Sequence, residues 1–543
     1  MRPFSLALLL LAPLAASPLS AHAQDGDLFA VRKNFDLFAD LYAALAGEYV
    51  DPVDAEALMR TGIAAMMETL DPYTVFFDEA TTTAGRLSQS GGVGGAGLVV
   101  ARRGGALVVT GLDEAGPAER QGVRVGDRVV RLAGREADGL EDDAATELLR
   151  GEPGSTLELE VAREGEADAI RFVLVRAEED KRDVTAATFV ADGVGYVRLE
   201  QFLYAASGEV RAGIDSLRAQ GELNGLVLDL RGNPGGLLEQ AVEIVGLFMP
   251  RGTPVVSTRG RSSGTVRGYA TRAEPIAPDL PLVVLVDEIS ASASEIVAGA
   301  IQDHDRGVVV GSTTFGKGLV QIVRPMPYGT ALKLTVSRYY IPSGRSIQSV
   351  AYRQGEGARD INSTDRQSFQ TAAGRPVRGG GGVEPDEDVG LGPESDLEQA
   401  LVRSASFLRF ANRYRAENPT LPPGFSIGDD LLHDFRRFVE SEGLDYRTEA
   451  ERGADALADA LGDAGYEGAT DELASLRQAV EAEKARDFER HAPRLAERLR
   501  GEILSRYLDQ TNLAQTLLEG DPVLERALAV LADERRYRQI LGQ

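Results

Sequence analysis

Three serines alternate with alanine where an apolar stretch runs into a predicted helix. The apolar stretch covers residues 281–286, the alternating run covers 290–294, and Glu295 follows. A serine at so sharp a helix start is exposed and lies near the positive end of the helix dipole, which suits a nucleophile. Ser292 and Glu295 also have the spacing of a capping box, in which the serine only caps the helix. The residues alone leave both interpretations open.

One lysine lies between two glycines in an apolar segment that follows. Lys317 is one of five lysines in a chain with 58 Lys and Arg together, and only lysine of these two can lose its proton in a protein. Apolar neighbours disfavour the charged amine and lower its pKa, so that it can take a proton from a serine. Gln321 follows four residues later. On a strand it would point to the same side as Lys317 and could hold the amine.

Other catalytic centres find little support. The chain has no cysteine, which excludes a thiolate nucleophile and cysteine metal sites. His304 lies between Asp303 and Asp305 at a predicted helix end, where a solvated position is expected and a Ser-His-Asp triad is disfavoured. No histidine pair has metal-binding spacing, so we expect no metal and no cofactor. Glycine follows Lys317 where a phosphate-binding loop needs serine or threonine.

A glycine-rich turn follows the apolar segment 226–230. It ends in Gly235-Gly236 and opens a predicted helix. Such a turn presents backbone N–H groups near a helix N-terminus, where they can stabilise a developing oxyanion. It is equally typical of a plain connection between a strand and a helix.

These segments fall in a region, 181–390, where strands and helices alternate, which predicts an α/β core. Before it we expect a helical region at 24–90 and a small β domain at 91–180. After it, residues 391–543 are predicted to be helical, and Ser395 with Glu398 forms a capping box. A net charge of −26 argues against nucleic-acid binding, which needs a basic surface.

The small β domain has the pattern of a peptide binder. Its glycine loop precedes a short strand and presents N–H groups that can capture a carboxylate, while a sheet edge beside a helix can accept an extended peptide. A structural domain with a glycine hinge is the alternative. The candidate peptide-binding residues are Gly95, Ala96, Gly97 and Leu98.

The N-terminus has the pattern of an export signal. Arg2 precedes an apolar run at 4–16, and Ala21-His22-Ala23 has the small-x-small spacing of a cleavage site. The run is shorter than the roughly 20 residues that span a bilayer. We therefore expect a signal peptide at 1–23, cleavage after Ala23, no membrane span thereafter, and a periplasmic or otherwise extracytoplasmic protein.

Taken in order, these motifs resemble those of the carboxyl-terminal processing proteases, the tail-specific serine peptidases with a Ser–Lys dyad and a PDZ domain. The resemblance runs from about Leu70 to Val389. The residues that carry it are the PDZ-like segment, Asp229-Leu230-Arg231-x-Asn233-x-Gly235-Gly236, Ser290 to Ile296, Gln302-Asp303, Phe315-Gly316-Lys317-Gly318-x-x-Gln321, Leu332 to Val336, Tyr340, Pro342 to Gln348, and Pro385-Asp386.

The resemblance implies a multidomain protein, with a PDZ-like small β domain beside an α/β serine-protease core of crotonase-like fold and helical N- and C-terminal regions. It implies cleavage of proteins near their C-termini, with the PDZ domain engaging the substrate tail or gating the site. The implied site consists of Ser292 as nucleophile, Lys317 as general base, Gln321 as its orienting partner, an oxyanion hole from the backbone of Gly235, Gly236 and Ala293, and Asp303 in support.

The implied partners are proteins or peptides with exposed C-termini, and an adaptor protein or a homo-oligomer is compatible with them. Two other functions stay open. A catalytically silent relative could use its PDZ domain as a scaffold, or the C-terminal helices could make the chain an adaptor or assembly subunit. The intact Ser292, Lys317 and Gln321 argue against a silent relative. The role of the C-terminal helices is open.

Overall fold

The computed structural model describes residues 22–78, 94–178, 182–261, 266–353, 357–361, 364, 366–390, 392 and 394–543. The chain divides into two compact units, one up to Phe76 and one from Phe77 onward. The expected signal segment, apart from its last two residues, lies outside the described part of the chain.

The first unit contains two helices, α1 (His22–Glu48) and α2 (Ala55–Glu68). The Asp54 side chain caps α2, because its Oδ1 accepts from the N–H groups of Glu56 and Ala57 at 3.0 Å. A short strand, β1 (Val75–Phe77), follows in the chain. Of the region 24–90 that we expect to be helical, the described helices cover residues up to 48 and 55–68, and residues 79–90 lie outside the described residues.

Residues 94–178 form a small antiparallel β domain. In chain order its elements are β2 (Gly94–Gly95), β3 (Leu98–Arg103), β4 (Ala106–Leu112), α3 (Pro117–Gln121), β5 (Arg128–Leu132), β6 (Arg135–Glu136), α4 (Asp142–Leu149), β7 (Thr156–Ala162), β8 (Ile170–Val175) and β9 (Ala177–Glu178). The sheet has the order β3-β4-β5-β7-β8, with β6 beside β5. Strand β3 lies at the edge of this sheet, and α4 packs beside it.

An α/β region follows from 184 to 388. Its elements are β10 (Val184–Ala191), β11 (Val194–Leu199), α5 (Ala206–Gln220), β12 (Gly225–Asp229), α6 (Leu238–Val245), β13 (Pro254–Gly260), β14 (Val266–Ala270), β15 (Leu282–Val286), α7 (Ala293–Asp303), β16 (Val308–Gly311), β17 (Leu319–Pro325), β18 (Ala331–Tyr340), β19 (Val350–Arg353), β20 (Gly357–Asp360), β21 (Ser368–Gln370), β22 (Pro376–Arg378) and β23 (Glu387–Asp388).

The main sheet of this region has the strand order β10-β11-β12-β15-β16-β23. Only β10 runs antiparallel to its neighbour. Strands β12 and β15 are buried throughout, as expected of central parallel strands covered on both faces. Helices α5, α6 and α7 pack on one face. A second, antiparallel sheet contains β13, β14, β17 and β18.

The rest of the chain is helical, as expected. Its helices are α8 (Asp396–Arg403), α9 (Ser406–Glu417), α10 (Asp429–Ser441), α11 (Glu449–Asp463), α12 (Thr470–Lys484), α13 (Asp487–Arg490), α14 (Ala492–Leu504), α15 (Gln510–Leu518), α16 (Pro522–Ala532) and α17 (Glu534–Ile540). The capping box of Ser395 and Glu398 is confirmed at the start of α8. Among the described residues, no helix combines the length and apolar character needed to cross a bilayer.

The last two helices close the second face of the main sheet. Leu524, Ala527 and Val530 of α16 pack in one cluster with sheet residues such as Val227 and Val283. The helical region therefore supplies part of the α/β core instead of forming only a separate body.

The helical region also contacts the small β domain. Asn412 of α9 donates from Nδ2 to the carbonyl oxygen of Gly126 at 2.8 Å, and Arg506 donates from Nε to Asn412 Oδ1 at 2.7 Å. A Cβ added to Gly126 would lie 2.1 Å from Asn412 Oδ1. This contact therefore depends on the absence of a side chain at position 126.

Candidate active site

Of the three alternating serines, Ser292 is the one with an accessible side chain. Ser290 and Ser294 are fully buried, and their hydroxyls donate to the carbonyl oxygens of Leu230 and Asn233. Ser292 is half-buried and directly precedes α7. Its φ of 54° and ψ of −108° lie in a region that residues with a Cβ rarely adopt. Strain of this kind persists where the surrounding structure enforces it, and it is concentrated at functional sites.

The glycine turn after β12 lies directly against Ser292. Gly235 has a φ of +99°, and a Cβ there would lie 2.6 Å from the Ala291 carbonyl oxygen and 2.8 Å from Ser292 Cβ. At Gly236 the φ is +151°, and a Cβ would lie 2.4 Å from the Phe202 carbonyl oxygen. Only glycine permits this close approach, so the turn brings its backbone to the start of α7.

Asn233 holds the turn in place from within. Its Nδ2 donates to the Leu199 carbonyl oxygen at 2.8 Å, and its Oδ1 accepts from the Gly235 N–H at 2.9 Å. The Gly235 N–H is therefore occupied in this structure. Among the described residues, no acceptor is found for the N–H groups of Gly236 and Ala293. These two groups are available to an oxyanion.

A buried carboxylate joins the serine segment to the lysine segment. Glu295 Oε2 accepts from the backbone N–H of Ser292 at 2.8 Å and from that of Lys317 at 2.9 Å. Its Oε1 accepts from Thr314 Oγ1 at 2.6 Å and from the Gly316 N–H at 2.7 Å. The two backbone nitrogens on Oε2 therefore lie no more than two hydrogen-bond lengths apart.

Glu295 is an unusual carboxyl because it is fully buried without a basic partner among these contacts. Burial raises its pKa to about 7, although its four hydrogen bonds act in the opposite direction. The sequence indicated Glu295 only as a capping residue. Nothing in the local spacing signals its contacts with residues 314–317.

Lys317 lies just before β17 and is half-buried. Burial and then the like charge of Lys333 lower its pKa, and the Glu295 carboxylate opposes them. The Tyr339 hydroxyl donates to the carbonyl oxygen of Lys317, and the Gly318 N–H donates to Gln348 Oε1 at 2.7 Å. The backbone on both sides of Lys317 is therefore held. A lowered pKa of the Lys317 amine is what a general base requires.

The expectation that Lys317 and Gln321 share one strand is wrong. Strand β17 begins at Leu319, and a register shift separates Val320 from Gln321. The unpaired residue of this shift is Val336 of β18, so the alternation along β17 itself is kept. Lys317 precedes β17, and the argument from strand alternation therefore does not apply to it. The Gln321 amide donates to Thr335 Oγ1 at 3.4 Å.

Asp303 lies on the same helix as the serine but at its far end. Eleven residues of helix place it about 16 Å from Ser292. Its carboxylate forms an ion pair with Arg345 at 2.9 Å, both side chains being fully buried, and accepts from the Ser343 N–H at 2.9 Å. Asp303 therefore fixes the segment 342–348. That segment includes Gln348, which in turn holds Gly318.

His304 lies at the same far end of α7. Its Nε2 is 2.7 Å from the Pro254 carbonyl oxygen. The histidine is therefore separated from Ser292 by the length of the helix, and the two residues do not form a Ser-His-Asp triad in this structure.

In the small β domain, the candidate loop 95–98 leads into the edge strand β3. The carbonyl oxygens of Ala96 and Gly97 accept from the N–H groups of Ala118 and Asp113 at 3.1 Å. Gly97 has a φ of +75°, and a Cβ there would lie 2.6 Å from Pro117 Cδ. The backbone that leads into β3, the strand beside α4, is thus fixed.

Three family models match consecutive parts of the chain. A PDZ domain matches residues 92–172, peptidase family S41 matches residues 193–353, and a C-terminal helical domain of probable PDZ-proteases matches residues 397–531.

Two curated bacterial proteins illustrate the similarity. The carboxy-terminal-processing protease of Bartonella bacilliformis is 35% identical over 323 residues, which cover 59% of this chain and 73% of the relative. The carboxy-terminal processing protease CtpB of Bacillus subtilis is 32% identical over 318 residues, which cover 58% of this chain and 66% of the relative.

Among solved structures, the photosystem II D1 C-terminal processing protease is 28% identical. The match covers 65% of this chain and 92% of that protein, with a TM-score of 0.39. The similarity to the Bartonella protein, which covers nearly three quarters of that protein's length, agrees with the S41 and PDZ matches. The chain is a serine-type peptidase with a PDZ domain and belongs to the carboxy-terminal processing proteases of peptidase family S41.

Proposed function

We propose that this chain is an extracytoplasmic serine endopeptidase that cleaves proteins near their C-termini, with Ser292 as nucleophile and Lys317 as general base. One observation carries the proposal. A single carboxylate oxygen, Glu295 Oε2, accepts from the backbone N–H of both residues and so brings the segment of a half-buried serine beside the segment of a lysine of lowered pKa.

The chemistry follows the logic of serine acyl transfer. The neutral Lys317 amine takes the proton from Ser292 Oγ as this oxygen attacks the scissile carbonyl carbon. The resulting oxyanion accepts hydrogen bonds from the N–H groups of Gly236 and Ala293. The Lys317 ammonium then protonates the leaving amine of the substrate. The Lys317 amine, which is neutral again, activates the water that hydrolyses the acyl-enzyme.

Gln321 and Gly235 have supporting roles in this proposal. The Gln321 amide donates to Thr335 from Nε2, which leaves its Oε1 as an acceptor for the protonated lysine. The Gly235 N–H is bonded to Asn233, so Gly235 contributes through its close approach to Ser292. Asp303 acts at a distance, through the segment that holds Gly318.

Substrate capture belongs to the small β domain. The loop at Gly95, Ala96, Gly97 and Leu98 would bind the terminal carboxylate, and the substrate tail would add a strand to the edge of β3 beside α4. The extracytoplasmic location depends on the predicted signal at residues 1–23.

The proposal is tested with the purified protein and a protein substrate that has an apolar C-terminus. The variants are Ser292→Ala, Lys317→Ala and Lys317→Arg, with circular dichroism to verify the fold. All three should lose cleavage, and Lys317→Arg is the sharpest because it keeps the charge but cannot act as a base. Lys484→Ala, which removes a lysine paired with Glu451 in the helical region, serves as the matched control.

Two results would overturn the assignment. Cleavage that survives Ser292→Ala removes the nucleophile, and cleavage that survives Lys317→Arg removes the base. A catalytically silent PDZ scaffold would instead bind the C-terminal peptide of the substrate while the wild-type protein leaves it intact.

A further inference from the structure

Arg231 lies in the turn that leads from β12 to the two glycines beside Ser292, and its guanidinium contacts two carboxylates. Its Nη2 donates to Asp229 Oδ2 at 2.7 Å, and its Nε donates to both oxygens of Asp229. On the other side, its Nη1 lies 2.7 Å from Asp521 Oδ2. A planar guanidinium held from two sides has little freedom to move.

Asp521 is the N-cap of α16 and uses its two oxygens differently. Oδ1 accepts from the N–H groups of Val523 and Leu524 at 2.9 and 3.2 Å. Oδ2 faces Arg231. The capping function and the ion pair can therefore be separated by a substitution that changes only one oxygen.

Arg231 already has one ion-pair partner in Asp229, at 2.7 Å. Asp229 also lies 3.7 Å from Arg198 and accepts from the Tyr196 hydroxyl at 2.7 Å. What Asp521 adds is an anchor in α16, a helix that packs on the main sheet. It thus connects the helical region with the turn that begins at Arg231.

The connection is short in the direction of the active site. Gly232 donates its N–H to the Asp287 carboxylate at 2.9 and 3.0 Å, and Asn233 holds Gly235. Gly236, whose N–H is one of the available oxyanion donors, follows Arg231 by only five residues.

We propose that Asp521 is a positioning residue, through which helix α16 fixes Arg231 and with it the glycine turn of the oxyanion hole. The inference rests on the proposed function, since it assigns that turn to the oxyanion. It gives the C-terminal helical region an indirect part in catalysis, through Arg231, in addition to covering the sheet.

The test is Asp521→Asn in the full chain. This variant keeps an oxygen for the cap but replaces the oxygen that faces Arg231 by an amide NH₂, which cannot accept from a guanidinium. Asp533→Asn is the matched control, because Asp533 caps α17 through the Arg536 N–H and, within the described part of the chain, forms no hydrogen bond or ion pair with the turn. Both variants are measured for kcat, KM and melting temperature.

We expect kcat of Asp521→Asn to fall about tenfold, which is less than the loss on removal of a whole oxyanion donor. KM should stay unchanged, and Asp533→Asn should keep the wild-type kcat. The rate at which a small phosphonate inactivates Ser292 should fall by the same factor, because its tetrahedral adduct needs the oxyanion donors. A merely structural role would lower the melting temperature and leave both rates of the folded protein unchanged.

Equal kcat values for Asp521→Asn and Asp533→Asn overturn the inference. Asp521→Ser, which also keeps a cap and removes the charge, replaces Asp521→Asn if that variant does not fold. If Asp521→Asn and Asp521→Ser both fail to fold, the contact between Asp521 and Arg231 has a structural role, and the inference is likewise overturned. Ser292→Ala distinguishes failure of the proposed function from failure of this inference. Activity in Ser292→Ala contradicts the proposed function itself. An inactive Ser292→Ala together with a fully active Asp521→Asn contradicts only the role of Asp521.

Discussion

Ser292 and Lys317 share one hydrogen-bond acceptor, because the backbone N–H of each donates to Glu295 Oε2. Two segments that are distant in sequence are thereby held side by side by a single buried carboxylate. An ionised carboxylate can accept all four of the hydrogen bonds that Glu295 receives. The protonated acid turns one oxygen into a donor and cannot keep them all.

Glu295→Gln should therefore damage catalysis more than folding. The amide leaves only one oxygen for four donors, so the serine and lysine segments move apart. Because misplacement of about 1 Å can cost about a hundredfold in rate, we expect a fall in kcat of that order. The measurement is kcat with the C-terminal protein substrate, together with the melting temperature.

Glu398→Gln is the control for this substitution. Glu398 is also a buried glutamate at the third position of a capping box, but it belongs to α8 and bonds to Ser395 and Arg494. It should lower the melting temperature without lowering kcat. A wild-type kcat in Glu295→Gln would show that the shared acceptor is dispensable.

The same carboxyl should give the stability a distinct pH dependence. Because burial raises the pKa of Glu295 to about 7 from 4.5, the folded protein holds this proton more tightly than the unfolded chain. Its contribution to stability is complete below about pH 4.5 and is lost as the pH rises to about 7. The melting temperature of the wild type minus that of Glu295→Gln should fall across this range. A constant difference would contradict the raised pKa.

The pH dependence of cleavage should respond to Lys333. The like charge of Lys333 is one of the causes that lower the pKa of Lys317. Lys333→Gln removes this charge, so the pKa of Lys317 rises and less neutral amine is present at a given pH. The acid limb of the plot of kcat/KM against pH should move to higher pH.

Lys484→Gln provides the comparison for that shift, since Lys484 pairs with Glu451 in the helical region. Its profile should coincide with that of the wild type. A Lys333→Gln profile that does not move, or moves to lower pH, is incompatible with Lys317 as the base.

Gly235→Ala should abolish cleavage. The new Cβ would lie 2.6 Å from a backbone oxygen and 2.8 Å from Ser292 Cβ, at a φ of +99°. Gly252→Ala introduces the same methyl group at a φ of +88° with no atom within 4 Å. This control isolates the cost of a left-handed alanine, about 1–2 kcal/mol, and should stay active. Comparable activity in the two variants would refute the close approach.

Gly126→Ala should loosen the small β domain from the helical region. Its Cβ would collide with Asn412 Oδ1, whereas Gly134→Ala in the same domain meets no atom within 4 Å. We expect faster amide hydrogen exchange in α9 and α14 only for Gly126→Ala. Helix α9 carries Asn412, and α14 ends at Leu504, just before Arg506, which bonds to Asn412. Equal exchange in both variants would mean that the contact does not hold the domain.

Elements with strong local signals were predictable from the sequence. Within the small β domain the sequence predicts a strand at Arg128–Leu132 and a helix near 140–150. The structure has β5 at Arg128–Leu132 and α4 at Asp142–Leu149. In both segments the spacing of apolar residues reports directly on the face that is buried. The strand that leads to Ser292 is apolar at every position, as expected of a strand that is buried on both faces.

The contacts around the lysine could not be predicted in this way. A capping-box spacing looks the same whether its glutamate has one partner or four, and the partners at Thr314 and Gly316 come from another segment. The register shift opposite Val320 and Gln321 depends on pairing with β18, and the position of Asp303 depends on Arg345. These features arise from tertiary packing between distant segments, which produces no periodic pattern of apolar residues in the sequence.

The closure of the main sheet by α16 and α17 limits how far this chain can be shortened. Side chains such as Val227 and Val283 lie under these helices and would face water without them. The contact of Asp521 with Arg231 would be lost as well. A fragment that ends before α16 would therefore carry an uncovered apolar sheet face, which is the kind of surface through which proteins aggregate.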